Sequence, residues 1–521
     1  MSAPDPTRSA APERAPFAAR TVLALAGATL LLHLVTNLVT GYGIHRDEFL
    51  YFAMGDHLRL FRMDFPPGIA VLSAASRFLL GDSLVALRLA PALAATAIVV
   101  LAALLARELG GGRWAQGFAA LAVAGSVFFQ RAGNLFQPVI LDALWWTAGC
   151  YALARLCRAE GPAGPWWGLL ALAGGIGLFT KFSILFFGFG VLVALLATPW
   201  RRTLLTRWPW LVLLVALALG SPSIVGQIAL GWPLAGQMRT LQHDQLAHVS
   251  VAGFFLVQLM FGPAMLVGAC GLLALLLAPA LRPFRLVGWT CLSVWVVLIA
   301  LHGKAYYVGA TYPVLFAAGA AALERLRSPR LGAHLRGWAA GLTAAYGVLV
   351  LPLGVPLLPP AAMERYVHTI GATEALRDNQ GQYLRLPQDY ADMLGWQDRV
   401  RALATAYVAL PPLERAQAVI IANNFGEAGA AEFYGPKIGL PPVVCAQGSY
   451  WFFGPGTRPG VVAITIGEGR EGLRRLYDSV EVAGRLTNPL TVREEQVLTV
   501  YVARRPRETL QEVWTRVAGR Y

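Results

Sequence analysis

Between Gly41 and Pro67 the chain reads GYGIHRDEFLYFAMGDHLRLFRMDFPP, with four acids (Asp47, Glu48, Asp56 and Asp64), two histidines and three arginines. A connector between two membrane helices needs only a few polar residues. This one carries a dense set of groups able to move protons or to bind phosphate. Further along, single charges stand in apolar surroundings: Arg88, Arg131, Asp142, Lys181 and Lys304. Charges inside or beside membrane segments are costly, so they face protein or a water-filled cavity. These residues are the candidates for chemistry.

Composition indicates what must position them. Of 521 residues, 56% are hydrophobic and 14% charged, with mean hydropathy +0.54, whereas soluble domains are about 25% charged. Apolar runs of about 20 residues, the length a bilayer core demands of a helix, recur from Thr21 to Pro360. Residues 1–360 hold 25 Lys and Arg against 12 Asp and Glu, and 361–521 hold 18 against 17. Nearly all of the formal charge of +14 therefore lies in the membrane part. That argues for topology and anionic lipid contact, not for nucleic acid. Cys150, Cys157, Cys270, Cys291 and Cys445 include no CxxC pair, so no disulfide framework or structural zinc site is indicated.

Eleven spans fit the pattern: 17–40, 84–106, 114–131, 138–157, 165–180, 182–199, 207–226, 252–279, 286–302, 305–324 and 336–358. With a cytoplasmic N-terminus, the inner connections carry sixteen arginines, and the outer ones after the first loop hold only Arg131, Lys181, Arg239 and Lys304. This is the positive-inside bias, and an odd count places 361–521 in the periplasm or its equivalent. The acids run the other way, with Asp47, Glu48, Asp56, Asp64, Asp82, Asp142 and Asp244 outside or at the outer boundary. Residues 1–16 read as a disordered cytoplasmic tail ahead of an uncleaved first helix. In the first outer loop, 41–83, Asp47 to Leu60 suits an amphipathic helix at the interface, Pro66-Pro67 ends it, and Ile69 to Leu80 supplies another. The loop 231–250 could cover the same cavity.

From about Ala361 the composition is that of a soluble domain. VIIAN (419–423), VVAITIG (461–467) and QVLTVYVAR (496–504) read as strands, with helices around 389–410 and 470–480. An α/β domain follows. NNFGEAG after the first strand lacks the spacing of a dinucleotide turn. No internal repeat or mirrored pair of broken helices marks a transporter.

His45-Arg46-Asp47-Glu48 after a first membrane helix, MDFPP, Leu87-Arg88-Leu89-Ala90-Pro91, Asp142, Lys181 in GLFTKF and GKAYYVGATYPVLFAAG (303–319) form an ordered series. It resembles the GT-C superfamily of membrane glycosyltransferases, in the branch of the lipid A aminoarabinose transferase and the protein O-mannosyltransferases (glycosyltransferase family 39-like). The resemblance covers roughly 20–320. LPQDYADMLGW, ANNFGEAGAAEFYG and SYWFFGP look like the external domain of bacterial members.

The resemblance implies a polytopic α-helical membrane protein of about 11 transmembrane helices: a catalytic domain over 17–360 and an extracytoplasmic α/β domain over 361–521. It implies a bacterial inner-membrane enzyme that moves a sugar, with inversion, from a polyprenyl-phosphate donor to a hydroxyl of a lipid, glycan or protein. Asp47 occupies the family's catalytic-base position, with Glu48 and Asp142 as further acids. Arg88, Arg131, Lys181 and Lys304 are the cations for the donor phosphate, where charge develops on the leaving group. The donor is a lipid-linked co-substrate; no cofactor is certain, and a divalent metal is left open but not indicated, since the spacing of His45, His57, His243 and His248 fits no compact metal motif. The aminoarabinose transferases carry a lysine before the Pro-Pro, where this chain has Asp64-Phe65, so the donor phosphate must be held differently. Each residue also has a plainer reading: Asp47 as an interfacial acid capping the loop helix, Asp142 as a helix cap, Lys181 as an anchor at the lipid boundary. The rival function is a transporter or lipid flippase, which would need comparable polar features on the inner side.

Overall fold

The computed structural model describes residues 11–244, 246 and 250–517. The chain forms two compact units, one of Met1–Leu38, Arg88–Val225 and Gln242–Val355, the other of Val39–Leu87, Gly226–Leu241 and Pro356–Tyr521.

The first unit is helical. Among the described residues five helices are long and apolar enough to cross a membrane: Ala19–Val39, Leu89–Glu108, Arg207–Ala229, Pro279–Ala300 and Ala305–Glu324. Two further pairs pass only if each is taken as one bent span, Ile184–Ala197 with Pro199–Leu205 and Val251–Met260 with Ala264–Leu277. Helices occupy all eleven expected segments, and five of them, or seven with the bent pairs, are individually long and apolar enough to cross. Some of the remaining segments are broken or short. The segment 114–131 divides at Gly125-Ser126 into Arg113–Ala124 and Val127–Asn134. Ile184–Ala197 has 14 residues, which rise about 21 Å against the ~30 Å of a hydrocarbon core.

Small residues let these helices approach closely. A Cβ on Gly319 would lie 1.9 Å from the Val267 carbonyl oxygen, and one on Gly271 would lie 2.1 Å from that of Leu315. Ala264–Leu277 and Tyr312–Glu324 thus meet backbone to backbone, glycine on each side. At one end of the bundle Glu108 is fully buried, 2.9 Å from Arg14 and 3.5 Å from Arg158. Of the tail expected over 1–16, residues 1–10 lie outside the described residues. Residues 12–16 are tied down, with Pro12, Ala15 and Pro16 carbonyls accepting from Arg158, Arg107 and Gln116.

The second unit is built on a five-stranded sheet: β1 (Ala418–Ala422), β2 (Val443–Cys445), β3 (Val462–Ile466), β4 (Tyr477–Thr487) and β5 (Val497–Pro506), in the order β2-β1-β3-β5-β4. β1 pairs in parallel with β2 and β3, and β5 runs antiparallel to β3 and β4. The three expected strands are β1, β3 and β5. The helix expected over 470–480 stops at Leu476, where β4 begins.

The loop 41–83 belongs to this unit. Its helices, Arg46–Asp56 and Gly68–Leu80, pack on the α/β domain rather than standing alone. Phe49, Phe52, Ala53 and Met54 are buried, with the Phe49 ring edge-on to Trp396 and Phe433 at 5.5 and 5.9 Å. A Cβ on Gly429 of the helix Phe425–Tyr434 would lie 2.6 Å from Phe49 Cβ, so only glycine admits that ring.

Candidate functional site

The expected site residues fall in two clusters, one in each unit. The first is the turn that starts helix Arg46–Asp56. His45 caps it. Asp47 N–H donates to His45 Nδ1 at 3.1 Å, and Glu48 Oε2 accepts from His45 N–H at 2.7 Å. This is a reciprocal capping box. It occupies Glu48, whose side chain is fully buried, while Asp47 stays partly exposed on the same turn. Because Nδ1 accepts, the imidazole proton sits on Nε2, which points at Asp389 (3.6 Å) and Asp392 (3.9 Å).

Around the turn lies a buried ionic network contributed by the α/β domain. Arg46 N–H donates to the Asp392 carbonyl (3.1 Å), its guanidinium lies 3.3 Å from Glu494, and it covers the Phe425 ring at 4.9 Å. Arg399 pairs with Glu495 and stacks on Trp396 at 4.0 Å. Asn424 caps the next helix through Glu427 N–H (3.0 Å) and donates to Glu495 (3.3 Å). Burial pushes Asp392 up to about 6. Burial, reinforced by Glu495, pushes Glu427 up to about 8. A low-polarity surrounding disfavours the charged form of each.

Asp64 of MDFPP is also interior, 2% exposed, accepting from Ser449 Oγ at 3.0 Å, while its backbone carbonyl accepts from Gln227 at 2.5 Å. Burial pushes this carboxyl up to about 6. The acid that stands beside the Pro-Pro is therefore an anchor for the loop, joined to SYWFFGP.

The second cluster is in the helical unit. Asp142 sits one turn into helix Pro138–Arg158, whose N-cap is Gln137. Its carboxylate accepts from Trp146 Nε1 (3.0 Å) and Ser183 Oγ (2.6 Å) and interacts electrostatically with Lys181. The carboxylate is held by side chains rather than by backbone amides. Lys181 and Ser183 occupy the break between Gly164–Thr180 and Ile184–Ala197, and Lys181 Nζ lies 5.7 Å from the Tyr307 ring centre. Arg88 is fully buried at the N-cap of Leu89–Glu108, donating to Asn37 Oδ1 at 3.1 Å. Arg131 is in the last turn of Val127–Asn134, and Lys304 opens the 3-10 turn Ala305–Thr311. That turn is fixed by Gln258 donating to the Ala305 carbonyl (2.8 Å) and Trp295 to Thr311 (3.0 Å).

The structure thus joins Asp47 to Glu48 and Asp142 to Lys181. Asp389, Asp392, Arg399, Asn424, Glu427 and Glu495 were not singled out from the sequence. The signal for four of them was polar residues set among apolar ones in LPQDYADMLGW (Asp389, Asp392) and NNFGEAG (Asn424, Glu427); Arg399 and Glu495 lie outside both stretches. Among the described residues no three of His, Cys, Asp and Glu form a metal-holding group. The side chains of His243, Asp244 and His248 lie outside the described residues.

Residues 64–225 match the family model of dolichyl-phosphate-mannose-protein mannosyltransferases. ArnT from Cupriavidus metallidurans, crystallised bound to undecaprenyl phosphate, has a similar fold: TM-score 0.60 at 16% identity, covering 92% of this chain and 97% of that one. Its apo form aligns at TM-score 0.59 and 16% identity over 93% and 98%. No curated protein matches the chain by sequence. The resemblance read from the sequence is met in both comparisons: residues 64–225 of this membrane protein match a mannosyltransferase family model, and the chain shares the fold of ArnT.

Proposed function

We propose that the protein is an inverting glycosyltransferase that moves a sugar from a polyprenyl-phosphate donor to a hydroxyl of a lipid, glycan or protein acceptor. It works at the outer face of a bacterial inner membrane, with the N-terminus in the cytoplasm and the α/β domain outside. The observation that carries the reading is the Asp47 turn. A partly exposed carboxylate stands on a helix start locked by His45 and Glu48, in a chain whose fold is shared with a protein that binds undecaprenyl phosphate.

Asp47 takes the proton of the acceptor hydroxyl as its oxygen attacks the anomeric carbon. The bond from that carbon to the phosphate oxygen breaks, its electron pair passes to the phosphate, and polyprenyl phosphate leaves. Lys181 meets the charge that develops there, with Arg88, Arg131 and Lys304 as the further cations. Asp142, gripped by Trp146 and Ser183, orients Lys181. Glu48 acts through the backbone as a positioning residue. The test is purified protein in lipid with a panel of radiolabelled polyprenyl-phosphate sugars and a membrane extract as acceptor. Label should pass from donor to acceptor for at least one sugar. Movement of donor between leaflets with no transfer would make the protein a flippase instead.

A further inference from the structure

The transfer reaction leaves part of the α/β sheet unused. From β1 the chain crosses through helix Phe425–Tyr434 to β2 on one side, then returns past β1 to β3 on the other. The connections that leave β1 and β3 run to opposite sides, β1 to β2 and β3 to β4, so they part at the carboxyl ends of those two strands. Open α/β sheets leave a crevice at such a point, and ligands bind there. In this domain the strand ends Ala422 and Cys445, with Glu468 two residues past β3, border a cavity of about 300 Å³, the size of a small ligand pocket.

We propose that this cavity binds one neutral pyranose ring of a carbohydrate acceptor, an inference that rests on the transferase reading above. Its wall is apolar and aromatic, with Leu473, Tyr477, Val513 and Trp514, and its polar groups are Asn423, Glu468, Arg475 and Glu508. A pyranose presents an apolar C–H face to such a wall and hydroxyls to amide, carboxylate and guanidinium groups. The rim suits the other ligand classes poorly. Glu508 is paired with Arg516, so two carboxylates and two guanidinium groups leave no net positive charge to attract a phosphate. A bare acyl chain would strip water from the polar groups and give nothing back. Trp514 is held in advance, donating to the Trp451 carbonyl at 3.2 Å, while Trp451 donates to that of Val517 at 2.6 Å. A fixed ring lowers the ordering cost of binding.

The experiment is saturation-transfer NMR on the full chain in lipid nanodiscs, using methyl pyranosides of glucose, mannose and galactose as probes. At least one should receive saturation from wild type. The signal should fall at least fivefold in Trp514→Ala and in Arg475→Ala, the latter an exposed residue whose loss leaves folding intact. Asp47→Asn should keep it. No signal from any pyranoside in wild type, or an unchanged signal in both variants, would overturn the site. Binding is read without turnover, so the two readings fail separately. Sugar bound with no transfer by wild type keeps the site as a carbohydrate-binding module and rejects the transferase. Transfer with no bound sugar does the reverse.

Discussion

Replacing Glu48 by glutamine and by alanine separates a carboxylate that shapes the turn from one that takes part in the reaction. Its side chain is fully buried and accepts from His45 N–H at 2.7 Å. Alanine leaves that buried donor unmet, a loss of about 1–3 kcal/mol. Glutamine keeps an acceptor oxygen at the same reach, and capping boxes use Glu and Gln alike, so its cost should stay below about 1 kcal/mol. The Asp47 carboxylate rides on this turn. Each ~1.4 kcal/mol of misplacement in the transition state is tenfold in rate, so alanine should lower kcat by about tenfold or more and glutamine by less than about threefold. Denaturant unfolding of the solubilised protein and the labelled-donor assay give both numbers. Glutamine abolishing transfer with stability unchanged would refute the argument and return Glu48 to the chemistry.

Three further outcomes follow from the geometry. The folded protein holds the Glu427 proton up to about pH 8, whereas the unfolded chain releases it near its ordinary value of 4.5; the native state then binds more protons in that window, so stability falls as pH rises through it. Glu427→Gln should flatten this slope in unfolding measured from pH 5 to 8, and an unchanged slope would assign it to other groups. Lys181→Ala should raise the donor KM by about 10- to 100-fold, the loss of one hydrogen bond to a charged group at roughly 1.5–3 kcal/mol, with the acceptor KM unchanged; equal effects on both would remove Lys181 from the donor site. Gly319→Ala meets the Val267 carbonyl oxygen at 1.9 Å and should destabilise the bundle by at least about 1–3 kcal/mol, while Gly337→Ala, with nothing within 4 Å, should be neutral in thermal unfolding followed by size-exclusion chromatography.

What was legible in the sequence was local. β1, β3 and β5 are short β-branched runs bounded by polar residues, and their pattern suffices. β4 was missed because an edge strand with a mostly exposed face, YDSVEVAGRLT, carries charges that mimic a solvated helix. β2 is three residues, Val443–Cys445, between Pro441-Pro442 and Ala446-Gln447-Gly448, too short for any period to register. Hydropathy sums over breaks: it marks the gap at Lys181 but does not register that Gly125-Ser126 interrupts the helix expected over 114–131. Long-range partners were hidden for a different reason. MDFPP and SYWFFGP were both noticed, yet nothing local says that Asp64 accepts from Ser449. The same holds for Arg46 among Glu494, Glu495 and Asp392. The loop 41–83 stands out by its own residues; that it is built into the same unit as the α/β domain is a tertiary fact.

The central claim is that Asp47 is the base of a transfer from lipid-linked phosphate. The most direct measurement compares wild type and Asp47→Asn for donor binding and for single-turnover release of polyprenyl phosphate, with the anomeric configuration of the product read by NMR. The account predicts equal donor binding, release and inversion in wild type, and loss of release in the variant by about 10² to 10⁴-fold, the usual contribution of a general base. Release by Asp47→Asn at the wild-type rate, or retention of configuration in wild type, would contradict it.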